Sequence, residues 1–222
     1  MNKSMLPLLD SSLYPQIWQQ QKFTNPQALL LAMLTADITA DITADADAFT
    51  KQLLKNDTYQ DWINSSIFGR YLQRNFTAFS QQTEDSFNAD MPLLFRQELM
   101  RHAQYLPLEQ VLFFAGDMPK SVRQIKVLST TVNPATAIIN AQKLSTKSSI
   151  NNTTTIINQI VIRGKQVLGF PIRHNKRTSE RLRNEVLILD FQELRLVNEI
   201  DIKGKKRSNI DETILLRSYE LR

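Results

Sequence analysis

The chain has 222 residues, of which 42% are hydrophobic and 22% charged, as in an ordinary globular protein. It has no cysteine, which excludes disulfides, thiolate nucleophiles and cysteine-ligated zinc, and its two histidines are too few for a histidine-rich metal site. We therefore predict no bound metal. No apolar run approaches the roughly 20 residues that a spanning helix needs, so we expect no membrane insertion.

The net charge of +5 is unevenly distributed along the chain. Residues 1–107 contain 8 basic and 11 acidic side chains, whereas residues 108–222 contain 19 basic and 11 acidic ones. The second half therefore favours anionic partners such as a dinucleotide, a nucleic acid or an acidic protein surface, and the charge does not distinguish among them.

Residues 1–107 have the pattern of a helical region. Asn25 can cap a helix whose first position is Pro26. The segment Thr35–Asp45 repeats the tetrad Thr-Ala-Asp-Ile, to which we assign no function. Apolar spacing predicts helices over Pro26–Leu34, Ala48–Leu54, Ile67–Phe79 and Pro92–Tyr105.

Residues 108–222 change to short β-branched and apolar runs. One helix, Ala135–Ala141, follows the cap Asn133 and Pro134, and the polar tract Ser145–Thr155 is predicted to be a loop. Strands are predicted at Val111–Ala115, Ile125–Leu128, Ile156–Ile162, Gln166–Ile172, Leu194–Ile202 and Thr213–Leu221, with a further strand after Glu185. At least six strands with one intervening helix predict an α+β fold.

A carboxylate stands at the start of that further strand, in the run Arg183-Asn184-Glu185-Val186-Leu187. A charged Glu185 beside a buried apolar run is costly unless it is paired or faces a ligand. A surface glutamate that merely precedes a strand is the alternative for this residue taken alone.

Three short sequence elements follow one another along residues 108–222. The first is a strand ending in Phe114-Ala115-Gly116-Asp117, and the second is Ser129-Thr130-Thr131 before a helix start. The third is a polar, charged loop that ends at Arg183 and is followed by Glu185 at the start of a strand. In this order they resemble the mono-ADP-ribosyltransferases of the arginine–serine–glutamate class, which include bacterial toxins, effectors and phage enzymes. The resemblance covers roughly residues 108 to 200.

This resemblance implies a split, mostly antiparallel β-sandwich around a cleft for NAD. Residues 108–222 would form this core, and residues 1–107 a helical annex or the N-terminal part of the catalytic domain. Glu185 would be the catalytic glutamate, stabilising the positive charge that develops on the ribose as nicotinamide leaves. Ser129 would support that glutamate, and Arg183 would be the third residue of the predicted catalytic set. Residues lining the NAD site would be Phe114, Ala115, Gly116, Ser129, Thr130 and Thr131.

Two positions depart from the family pattern. The family usually has an arginine before the glycine of the first strand, where this chain has Ala115. Lys120, Arg123 or Arg173 could supply the cation instead. Enzymes that modify arginine have a second glutamate two residues before the catalytic one, where this chain has Arg183. Arg183 would repel a cationic acceptor, which favours a nucleic acid or an acidic protein surface.

The basic loop 173–181 lies where the family recognises its acceptor, although a solvated turn explains it equally well. The resemblance implies a secreted or delivered toxin that acts in the cytoplasm of a target cell. No cleavable signal peptide is expected, and a neutralising immunity protein is a possible partner. The alternative is a catalytically inactive binding module that docks on nucleic acid or an acidic protein. A hydrolase using Glu185 with Asp117 or Glu180 is a third hypothesis.

Overall fold

The computed structural model describes residues 3–9, 30, 34, 42–65, 99–145, 154–172, 184–203 and 213–222. These residues form eight strands with defined bounds. The strands are β1 (Gln104–Tyr105), β2 (Val111–Ala115), β3 (Leu128–Thr131), β4 (Thr154–Ile162), β5 (Leu168–Pro171), β6 (Glu185–Asp190), β7 (Leu194–Lys203) and β8 (Thr213–Leu221).

Four helices have defined bounds within the same residues. They are α1 (Ile42–Leu53), α2 (Asp57–Ser65), α3 (Val122–Ile125) and α4 (Pro134–Ser145). Within the described ranges, no helix is both long and apolar enough to cross a bilayer.

Asparagine side chains cap the N-termini of two of these helices. The Asn56 side chain accepts the backbone N–H of Tyr59 at 2.9 Å at the start of α2. At the start of α4, Asn133 Oδ1 accepts the N–H groups of Ala135 at 3.1 Å and Thr136 at 3.3 Å. Each asparagine thereby satisfies N–H groups that have no partner within the helix, as sequence reasoning predicted for Asn133.

The eight strands form one hydrogen-bonded sheet in the order β1-β5-β6-β3-β2-β4-β8-β7. Every pair is antiparallel except β4 with β8, so the predicted mostly antiparallel α+β fold is confirmed at this level. The ladder is weakest in the middle, where β2 and β3 share a single residue pair, Phe113 with Thr131. The sheet therefore has two four-stranded halves joined at one point.

The helices pack against the sheet in a common hydrophobic core. Buried residues of α1 and α2, including Phe49 and Trp62, belong to the same cluster as Leu112, Ile138 and Ile188. Helix α1 also contacts α4. Burial of this apolar surface is the main force that holds the helices on the strands.

A second, smaller cluster lies against β5 and β6. It includes Leu99, Ala103, Phe170, Leu187 and Leu189. Side chains alternate between the two faces of a strand, so Leu187 and Leu189 face this cluster while Val186 and Ile188 face the larger one.

Several predicted boundaries are corrected by the structure. The predicted strand Ile125–Leu128 is wrong, because Val122–Ile125 is a helical turn that ends at Lys126 with φ of 58°. Strand β3 starts later and includes Ser129 and Thr131. The region predicted as a helix up to Tyr105 ends in β1, and the helix α2 had no predicted counterpart.

Several predicted elements, among them the predicted helix Pro92–Tyr105, fall partly or wholly outside the described residues. The predicted helices Pro26–Leu34 and Ile67–Phe79 lie mostly or wholly outside the described residues. The same holds for most of the predicted loop Ser145–Thr155, although β4 already begins at Thr154. The division into 1–107 and 108–222 stays a prediction.

Candidate active site

Glu185 is the first residue of β6, and its side chain is partly exposed. It pairs across the antiparallel ladder with Thr131, the last residue of β3. The neighbouring pair is hydrogen-bonded, since the Val132 N–H donates to the Asn184 carbonyl at 3.2 Å. Pairs of the two kinds alternate, so Glu185 and Thr131 form a non-hydrogen-bonded pair whose Cα atoms lie about 4.5 Å apart. Their side chains are therefore direct neighbours.

The other side of Glu185 is covered by β5. The Ile172 N–H donates to the Glu185 carbonyl at 2.7 Å. Ile172 is buried in the second cluster. The glutamate thus has a hydroxyl on one side and an apolar wall on the other, at the end of a strand whose next four residues are buried.

The three hydroxyls of β3 divide between the two faces of the sheet. Ser129 pairs with Leu187 and Thr131 with Glu185, so these two hydroxyls share the face of the glutamate. Thr130 lies on the opposite face, where its hydroxyl donates to the Val186 carbonyl at 2.7 Å. Thr130 therefore joins β3 to β6, whereas Thr131 lies beside Glu185 and Ser129 lies one pair further along the same face.

A cluster of buried polar side chains surrounds Asn184, the residue that precedes Glu185. Asn184 is 4% exposed and has a positive φ of 42°. Its Oδ1 accepts hydrogen bonds from the Thr50 hydroxyl at 2.7 Å and from Asn133 Nδ2 at 3.0 Å. The Asn133 N–H in turn donates to the Thr131 hydroxyl at 2.9 Å. The end of β3, the start of β6, the start of α4 and the second half of α1 therefore meet here.

Another buried asparagine, Asn158, holds the end of β2. Asn158 donates from Nδ2 to the Phe114 carbonyl at 3.1 Å and to the Gly116 carbonyl at 2.6 Å. Gly116 has a φ of 85°, and a Cβ at this position would lie 2.9 Å from Leu144 Cδ1. Both facts explain a glycine at this turn.

The predicted first-strand residues pack on the larger cluster. Phe113 pairs with Thr131 and is buried in that cluster, and Phe114 and Ala115 are partly buried against it. Ala115, where the family usually has an arginine, carries only a methyl group.

A cation does lie near the end of β2, and the sequence did not identify it. Arg217 of β8 donates to Asp117 at 2.8 Å and to Glu199 at 2.7 Å. The hydrogen bond with Glu199 is the main cause that raises the pKa of Arg217 above its usual value. Two carboxylates offset its charge. Asp117 thus binds a residue of β8, which lies on the side of β2 away from β6.

The structure thus brings Glu185, Ser129 and Thr131 together. Lys120 and Arg123 are exposed. Arg183, Arg173, Glu180 and the basic loop 173–181 lie outside the described residues. Thr50, Asn133, Asn158 and Asn184 were not predicted to serve the site, although an asparagine directly before a strand is a signal for a positive φ.

No protein-family model matches the sequence, and no curated protein matches it. Solved structures of an ADP-ribosyltransferase named Vis do match. The complex with agmatine is 11% identical, with a TM-score of 0.42, over 93% of this chain and 90% of that one. The complex with M6 inhibitor is 12% identical, with a TM-score of 0.43, over 93% and 89%.

A third match is the Vis toxin from Vibrio splendidus, 12% identical with a TM-score of 0.40 over 94% of this chain and 91% of that one. At these scores, the roles of individual residues rest on the geometry within this chain. The chain is similar along most of its length to structures named for the family that its motifs resemble.

Proposed function

We propose that this chain is a mono-ADP-ribosyltransferase that transfers ADP-ribose from NAD to a macromolecular acceptor. The observation that carries the proposal is the pairing of Glu185 with Thr131. A partly exposed carboxylate with two hydroxyls on its face, held at the end of a buried strand, is suited to contact a ribose.

The chemistry follows from the charge that develops on that sugar. Cleavage of the bond between nicotinamide and ribose sends the electron pair to the nicotinamide and leaves an oxocarbenium-like ribose. The Glu185 carboxylate stabilises this cation and accepts a hydrogen bond from a ribose hydroxyl. A nucleophile of the acceptor then bonds to the ribose carbon and loses its proton. The hydroxyls of Ser129 and Thr131 orient the carboxylate and the nicotinamide end of the substrate.

The chain's own charges select the acceptor. Arg183 occurs two residues before Glu185, and the loop 173–181 that precedes it is basic. A guanidinium at that position repels an arginine side chain, so the proposed acceptor is a nucleic acid or an acidic protein surface.

The proposed biological role is that of a toxin or effector, delivered into a target cell and acting in its cytoplasm. Such a protein endangers the cell that makes it, so a neutralising immunity protein is part of the proposal. The family resemblance supports this role, and the basic surface expected of residues 108–222 is compatible with an acidic inhibitor.

The test is the release of nicotinamide from NAD, measured by chromatography. Glu185→Gln keeps the shape of the side chain and removes its charge, so it should lower kcat by about 10²- to 10³-fold. Glu193→Gln is the matched control, because this glutamate is exposed beside β7. Unchanged turnover in Glu185→Gln would refute the assignment.

A second candidate is a catalytically inactive module that binds nucleic acid or an acidic protein. The alanine at position 115 favours it, since this side chain supplies no cation for the phosphates of NAD. NAD at 100 times its Kd should stabilise an active protein by about 2.7 kcal/mol. No thermal shift with NAD, together with salt-sensitive binding of RNA, would establish the second candidate.

A further inference from the structure

The backbone on both sides of Glu185 is fixed by hydrogen bonds. The Asn184 carbonyl accepts from Val132, the Glu185 carbonyl accepts from Ile172, and the Val186 carbonyl accepts from the Thr130 hydroxyl. The direction in which the carboxylate leaves the strand is therefore set by the conformation of three consecutive residues, of which Asn184 is the first.

Asn184 adopts a conformation that few side chains tolerate. Its φ of 42° lies in the left-handed region, which is unfavourable for most residues and accessible to asparagine. The amide is also buried and lies against α1 and α4 rather than in solvent. The strand can begin at Glu185 in this direction only while Asn184 keeps this conformation.

Several hydrogen bonds converge on the Oδ1 atom of Asn184 and on its neighbours. Asn133 Nδ2 has two protons, one for the Ala46 carbonyl at 3.1 Å and one for Asn184 Oδ1 at 3.0 Å. The Thr50 hydroxyl lies 2.7 Å from the same Asn184 oxygen and 2.8 Å from the Ala46 carbonyl, so its single proton is shared between these two acceptors. Each oxygen of the Asn184 and Asn133 amides is thus used, the latter by the N–H groups of α4.

We propose that Thr50, Asn133 and Asn184 form a positioning lock for the Glu185 carboxylate, through which helix α1 becomes part of the catalytic unit. The proposal rests on the proposed function, since it assigns the lock to that reaction. It also predicts a role for the helical first half of the chain, which Thr50 joins to the strand of the glutamate. None of the three residues is catalytic, because each acts on Glu185 through the backbone.

The lock matters because the carboxylate must meet a charge that exists only in the transition state. A shift of about 1 Å in a reacting group can lower the rate by 10²-fold. Binding of NAD depends on many other contacts and is far less sensitive to the position of one carboxylate. Loss of the lock should therefore lower kcat and leave KM for NAD nearly unchanged.

The activity test uses a pair of substitutions at one site. Thr50→Val keeps the shape of the side chain but removes its proton donor, and we expect kcat to fall at least 10-fold with KM within twofold. Thr50→Ser restores the hydroxyl and should keep kcat within threefold of the unsubstituted protein. Asn56→Ala removes a helix cap outside the lock and serves as the control for lost stability.

Two outcomes of this test would overturn the proposal. One is a Thr50→Val protein with normal kcat. The other is a loss of kcat in Asn56→Ala that matches the loss in Thr50→Val, because the effect would then follow stability and not position.

Amide hydrogen exchange tests the lock without any catalytic activity. The N–H groups of Val132 and Ile172 donate to the carbonyls of Asn184 and Glu185. In Thr50→Val they should exchange at least 10-fold faster, while the amide of Ile188 in the middle of β6 should not change. Equal protection in both proteins would refute the lock. Absence of nicotinamide release from the unsubstituted protein would instead refute the proposed function.

Discussion

Replacement of Asn133 tests how much the buried polar cluster contributes to stability. The side chain is fully buried and has two tasks that separate by atom. Its Oδ1 caps α4, and its Nδ2 donates to Ala46 and Asn184. Asn133→Ala removes both tasks. Asn133→Ser keeps a good capping oxygen on a side chain too short to reach the two acceptors.

The magnitudes follow from these contacts. Loss of a helix cap costs about 1 kcal/mol. Two hydrogen bonds at about 1 kcal/mol each contribute a further 2 kcal/mol or so. We therefore expect Asn133→Ala to lower the free energy of unfolding by about 3 kcal/mol and Asn133→Ser by about 2 kcal/mol. For a chain of this size these losses correspond to roughly 9 °C and 6 °C in Tm.

Urea denaturation monitored by tryptophan fluorescence, together with calorimetry, measures both values. Asn56→Ala is the matched control, because it removes a cap alone and should cost about 1 kcal/mol. The reasoning fails if Asn133→Ser is as stable as the unsubstituted protein, since the Nδ2 contacts would then contribute nothing. It also fails if Asn133→Ala loses no more than the control.

Three further substitutions probe other parts of the fold. Gly116→Ala should cost about 1–2 kcal/mol in urea denaturation, because its φ of 85° disfavours a Cβ; a neutral result would contradict this. Trp62→Phe replaces the buried indole with a smaller ring and removes its hydrogen bond to the Pro7 carbonyl at 2.6 Å, so Tm should fall in calorimetry by several degrees, corresponding to about 2 kcal/mol. Arg217→Met should cost at most about 1 kcal/mol, and less in 1 M NaCl, because its ion pairs are near the surface. A larger, salt-independent loss would refute that assignment.

Local sequence patterns were sufficient for the strands with strong apolar signals. Val111–Ala115 was predicted with the bounds of β2, and the run after Glu185 was predicted as a buried strand. Asn133 and Pro134 marked the start of α4 because capping depends only on neighbouring residues. These features are decided within a few residues of chain.

Boundaries were predicted poorly where two signals compete. The apolar residues from Ile125 to Leu128 resemble a strand, but a helical turn occupies Val122–Ile125 and ends at Lys126 in the left-handed conformation. β3 lies later in the chain than the predicted strand, so its hydroxyls lie within the ladder and not after it. Tertiary pairing with β6 outweighed the local preference here.

The sequence by itself determined which groups were available: one carboxylate at a strand start, a run of hydroxyls, and an alanine where a cation was expected. The tertiary structure alone decided their neighbours. Register placed Thr131 beside Glu185 and turned Thr130 to the opposite face. The packing of α1 also brought Thr50 into contact with Asn184, 134 positions away in the sequence. Contacts at such separations depend on how strands and helices pack, which no local pattern encodes.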